Sequence, residues 1–133
     1  MKEKTAYVSA RFALKEEVKE IYSKLEKLGY SIPWDWTEHK PIKPYNENPE
    51  LAKEYTIEDI NGSKDSNIFI MITDEAGTGM HTELGAAIVS ALENKEKLIY
   101  LIGENLDRSV FFFHPTIRKK GTIEEVIREL KDL

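Results

Sequence analysis

The chain has 133 residues, a net charge of −5 and no cysteine. That length fits one compact domain rather than two, and the acidic balance argues against a surface that tracks nucleic-acid phosphates. Without cysteine there are no disulfides, thiolate nucleophiles or Cys-ligated metal centres. Apolar residues at 41% and charged residues at 32% are ordinary globular values. No apolar run reaches the roughly 18 to 20 residues of a membrane helix. The opening Met1-Lys2-Glu3-Lys4 leads into a short apolar run with no small-residue cleavage pattern, so no secretory signal is expected. A cytoplasmic, single-domain protein over 1–133, with no membrane or nucleic-acid partner, is the expectation.

Short β-rich runs alternate with helical periods, which predicts an α/β fold on a largely parallel sheet. Thr5 to Ser9 reads as the first strand. Leu14, Val18, Ile21, Leu25 and Leu28 recur at steps of four and three and predict a helix, stopped at Gly29. Tyr30 to Trp36 reads as a short second strand interrupted by Pro33, and Pro41, Pro44 and Pro49 mark a long irregular loop. Residues 49–60 read as a helix ending at Asn61-Gly62. The unbroken run Asn67 to Ile72 fits a strand buried on both faces. Gly77-Thr78-Gly79 is a turn, and the helix after it carries Leu84, Ala87, Ile88, Ala91 and Leu92 inward. Lys97 to Ile102 reads as the fourth strand and Val110 to Phe113 as the fifth. Thr122-Ile123-Glu124-Glu125 is a capping box opening a last helix. The expected fold is a doubly wound, Rossmann- or flavodoxin-like three-layer sandwich with a mostly parallel five-stranded sheet.

Such sheets bind ligands at the carboxyl ends of their strands, so the residues there carry the candidates. Gly77 and Gly79 let the backbone approach a ligand closely. The spacing is neither a P-loop nor a dinucleotide fingerprint. Glu83 lies at the start of the following helix, where a carboxylate also suits the helix dipole. Asp74 is an acid in the turn after the third strand, a common turn residue in its own right. Asp59 shares a helix face with Ala52 and Tyr55. Tyr7, Ser9 and Arg11 alternate to one side at the end of the first strand, where Ser9 with Arg11 makes a plausible phosphate or carboxylate clamp and a surface ion pair is the plainer alternative. Trp34 and Trp36 offer indoles for stacking on a base or for covering the core. His39, His81 and His114 are scattered too widely to read as a metal site, and no cofactor is expected.

Together these residues resemble the nucleoside 2-deoxyribosyltransferase family, and within it the branch of 2′-deoxynucleoside 5′-monophosphate N-glycosidases. The resemblance spans almost the whole chain. It rests on Tyr7, Asp59-Ile60-Asn61-Gly62, the apolar strand into Asp74, Gly77-Thr78-Gly79, Glu83-Leu84-Gly85 and the weaker Thr37-Glu38-His39. It implies that Glu83 attacks the anomeric carbon and forms a glycosyl ester, that Tyr7 orients that carboxylate, and that Asp59 donates a proton near sugar and base. Asp74 falls near an acid that contacts base or sugar. Ser9 and Arg11 match the phosphate loop of the monophosphate branch. Ser109 lies where that branch has a phosphate-binding serine reaching into a neighbouring subunit's site, which implies a homodimer or larger assembly. The chain departs from the pattern at Met80-His81-Thr82, a longer spacer than is common in the family, and after Arg11, where the branch's glycines are missing. Cleavage of the N-glycosidic bond of nucleosides or their 5′-monophosphates is the implied activity, with the sugar passed to water or to another base. Two other readings stand beside it. A phosphoribohydrolase of the cytokinin-activating type shares a Gly-rich turn and a Glu, but its Pro-Gly-Gly signature is missing here. A non-catalytic nucleotide sensor on the same fold needs the pocket without Glu83.

Overall fold

In a computed structural model describing residues 4–133, four strands form one parallel sheet. They are β1 (Ala6–Ser9), β2 (Ile68–Ile72), β3 (Leu98–Ile102) and β4 (Ile117–Lys119), in spatial order β1-β2-β3-β4. Met1 to Glu3, where the expectation of no secretory signal begins, lie outside the described residues. Four α-helices cover the sheet: α1 (Lys15–Lys27), α2 (Pro49–Asp65), α3 (Gly79–Glu93) and α4 (Ile123–Lys131). α1 and α4 pack together on one face, joined by Lys24–Glu124 at 3.1 Å. α2 and α3 pack on the other, where the Ser90 hydroxyl donates to the Lys64 carbonyl at 2.5 Å. Helices on both faces explain why all five residues of β2 are buried apolar side chains. Among the described residues no helix is long and apolar enough to cross a membrane.

The sheet is smaller than the five strands expected, and each difference has a physical cause. Tyr30 to Trp36 is not a strand; only Ser31 bridges Thr5. Along the rest of that edge, side chains take the hydrogen bonds a neighbouring strand would have made. The Val8 N–H donates to the Tyr22 hydroxyl at 3.1 Å, and the Val8 carbonyl accepts the Trp36 indole N–H at 2.6 Å. Pro33, which has no N–H to give, fits this irregular segment.

Val110 to Phe113 is likewise not a strand but a 3-10 turn, opened by the Ser109 hydroxyl accepting the Phe111 N–H at 3.2 Å. Phe112 alone of the four is buried. The edge strand is instead β4, three residues long with Arg118 and Lys119 in it, as short charged edges often are. α2 runs through Asn61-Gly62 to Asp65, and its last carbonyls are satisfied from outside: the buried Lys97 ammonium donates to Ser63 at 2.6 Å and Lys64 at 3.1 Å. Leu92, expected inward, is exposed; the inner stripe of α3 is Met80, Leu84, Ala87 and Ala91. α4 opens with Thr122 accepting the Glu125 N–H at 3.3 Å, while the Glu125 carboxylate reaches back to the Gly121 N–H at 2.9 Å.

Candidate active site

Alternation along β1 turns Tyr7 and Ser9 to the same face, toward α3. Glu83 belongs to the inner side of α3, three residues after Met80 and four before Ala87. The two elements therefore meet through one carboxylate. The Tyr7 hydroxyl donates to Glu83 Oε2 at 2.5 Å, and the Ser9 hydroxyl donates to Oε1 at 2.6 Å. Tyr7 and Ser9 are fully buried, and Glu83 is half-buried. Each carboxylate oxygen keeps a lone pair after one hydrogen bond, so the group is oriented but not exhausted.

Asp59 stands on α2 within electrostatic reach of both. Burial pushes the Glu83 carboxyl up to about 7; the two hydroxyls oppose that rise and the Asp59 charge adds to it. Burial also pushes Asp59 up to about 6, against the pull of His39 and of the nearby Tyr7 hydroxyl. Tyr7 itself is driven strongly upward, first by burial and then by Glu83 and Asp59, so it remains a neutral donor. Two coupled carboxyls thus titrate near neutrality around one phenol.

α2 comes close enough for this because of Gly62. A Cβ there would lie 2.4 Å from Tyr7 Cδ1 and 3.0 Å from Trp34 Cβ. Trp34 is half-buried against that crossing, and Trp36 is a core residue. His39 stacks on Tyr55 with centroids 3.8 Å apart, and its Nε2 lies 3.0 Å from Glu58 Oε2.

At the mouth, Arg11 Nη1 lies 3.3 Å from Asp74 Oδ1. Asp74 also accepts the Ala76 N–H, which together with Arg11 lowers its pKa. Gly77 has φ of 95°, and the space above Gly79 is open. Ser109 makes no contact with Glu83 in the same chain; its hydroxyl caps the 3-10 turn. Its neighbour Arg108 reaches the site instead, and that residue and His81 had no place among the expected site residues. Their only signal in the sequence is position, beside the ends of β3 and α3. Among the described residues no group of three or more His, Asp or Glu is placed to hold a metal ion. A shallow surface cleft of about 320 Å³ lies on the opposite, α1–α4 face and holds none of these residues.

No family model matches the chain, and no curated protein is similar enough to count as a relative. Among solved structures, the fold is similar to that of a Clostridium botulinum CMP N-glycosidase, BcmB. The TM-score is 0.59 at 19% identity, covering 98% of this chain and 100% of that one. At that identity the likeness concerns the fold, an α/β architecture with a parallel sheet.

Proposed function

We propose that this chain is a cytoplasmic N-glycosidase, a single nucleoside deoxyribosyltransferase-like domain that cleaves the base–sugar bond of nucleosides or their 5′-monophosphates. The observation that carries the reading is the half-buried Glu83 carboxylate with a hydroxyl on each oxygen. A fold shared with a protein described as a CMP N-glycosidase supports it.

The chemistry follows from the charges. As the C1′–N bond breaks, positive charge builds on the sugar, and the Glu83 carboxylate stabilises it and bonds to C1′. Asp59, whose burial keeps a proton available near neutral pH, gives that proton to the departing base. Water then adds at C1′, the ester bond breaks, and the water's proton returns to Asp59. A second base in place of water gives transfer. Trp34 and the Gly77-to-Gly79 turn flank the bound nucleoside in this reading, and Ser9 and Arg11 lie on its phosphate side. Ser109 projects into the site of a second copy of the chain. Wild type incubated with CMP and other 5′-monophosphates should release free base on chromatography, while Glu83→Ala releases none and stays folded. Equal turnover by Glu83→Ala would refute the assignment.

A further inference from the structure

Two arginines and one acid stand together where β1, β2 and β3 end. Arg11 Nη1 lies 3.3 and 3.4 Å from the two carboxylate oxygens of Asp74. Arg108 Nη1 donates to the main-chain carbonyl of that same residue at 2.9 Å and approaches His81 Nε2 at 3.4 Å. Among the described residues no carboxylate forms an ion pair with Arg108. Asp74 therefore meets two guanidiniums, Arg11 through its carboxylate and Arg108 through its main-chain carbonyl, in a protein whose net charge is −5.

Each member is held in place. Asp74 Oδ1 accepts the Ala76 N–H at 3.1 Å. The arm of Arg11 runs over Gly77, where a Cβ would lie 3.2 Å from Arg11 Cγ. His81 lies parallel to the buried Phe112 ring, centroids 5.7 Å apart. Arg11 is two residues beyond Ser9, so this cluster adjoins the Glu83 carboxylate. The pair is also open to exchange, because the Arg11 side chain is 43% exposed.

We propose that Asp74 is a resident counter-ion, displaced from Arg11 by the phosphate monoester of a substrate, and that Arg108 is the second ligand of that phosphate. The proposal rests on the reading of Glu83 as the centre of a nucleotide site. It gives Asp74 a role different from the base or sugar contact that the family resemblance implies. A dianion with three terminal oxygens spans both guanidiniums, whereas one carboxylate engages only Arg11. An uncharged nucleoside has nothing to offer Arg11 and leaves the pair closed. Asp74 thus raises the threshold for entry and sharpens selection for a dianion.

The test is calorimetric titration of Glu83→Gln protein, in which turnover does not interfere. The titrants are inorganic phosphate, CMP and cytidine. Adding Asp74→Asn, which keeps an oxygen for the Ala76 N–H, should tighten phosphate and CMP by roughly 3- to 10-fold, the scale of a part-exposed charge contact. Adding Arg108→Gln should weaken both by at least a similar factor, and cytidine should not move. Lys95→Gln, an exposed charge elsewhere, should change nothing. Unchanged or weaker phosphate binding in Asp74→Asn overturns the proposal, as does a loss in Lys95→Gln equal to that in Arg108→Gln. A response confined to inorganic phosphate overturns it too, because the group bound would not be a substrate's. If wild type releases no base while these shifts appear, the N-glycosidase reading falls and the counter-ion stands. Base release without the shifts removes the counter-ion alone.

Discussion

Gly62 sits directly against Tyr7: a methyl group added to it would lie 2.4 Å from one ring carbon and 2.7 Å from the next. The ring cannot simply swing away, since Tyr7 is fully buried and stacked on Phe69 with centroids 6.0 Å apart. The phenol that holds Glu83 is thereby positioned from behind by the absence of a side chain.

Gly62→Ala should therefore cost stability and activity together. Overpacking of this kind costs about 1–3 kcal/mol. A displacement of the Tyr7 hydroxyl on the order of 1 Å should lower turnover by about 10²-fold. Thermal denaturation and kcat measured on the same preparation check both. A variant as stable and active as wild type would show that α2 retreats without disturbing the phenol.

Tyr7→Phe and Ser9→Ala each free one oxygen of Glu83. Each should lower kcat by about 10- to 100-fold with little change in KM, because the carboxylate loses orientation while substrate contacts persist. The double variant should lose less than the product of the two, since both act on one group. Steady-state kinetics on the four proteins decides it.

Activity should follow a narrow bell in pH. The productive state holds one proton on the carboxyl pair, with Glu83 ionised and Asp59 protonated. Glu83 near 7 and Asp59 near 6 put the singly protonated pair at its maximum between pH 6 and 7; within it the proton sits mostly on Glu83, and the productive form, with the proton on Asp59, is the minor tautomer with the same pH optimum. Below about 6 both are protonated and above about 7 both are ionised, so rate falls on each side. In Asp59→Asn the alkaline limb should vanish, and turnover should drop by about 10²- to 10⁴-fold for poor leaving groups. A pH profile of kcat on both proteins tests this.

Stability should show the same groups with the opposite consequence. Glu83 has a folded pKa raised from 4.5 to about 7, so the folded state holds the extra proton between those values. Its contribution is lost as pH rises across that window. Glu83→Gln removes an ionised, partly buried group while leaving an acceptor for one hydroxyl. It should melt roughly 2–5 °C above wild type at pH 8 and close to wild type at pH 4.5. Melting curves at the two pH values give the answer, and a deficit at pH 8 would contradict the sign.

Part of the candidate site is legible in the sequence. Period-2 alternation put Tyr7, Ser9 and Arg11 on one side, and Glu83 lay just past a glycine turn at a strand's end. The long elements were legible too, because periodic apolar residues spell out α1, α4 and the buried strand β2. Local pattern was misleading where the chain chooses between equivalents. Val110 to Phe113 is as apolar as a strand, yet it turns in a 3-10 loop because Ser109 caps it and only Phe112 finds the core. Tyr30 to Trp36 has strand-like composition, yet Tyr22 and Trp36 had already taken the free groups of Val8.

From the amino-acid order came the layering, the strand ends that hold the candidate residues and the identity of the acids there, since these depend on short-range periodicity and residue type. Only the tertiary structure decided that both hydroxyls meet the same carboxylate, that Gly62 is a contact rather than a helix stop, and that Arg108 shares Asp74 with Arg11. Those facts depend on distances between residues far apart in the chain, and packing sets them.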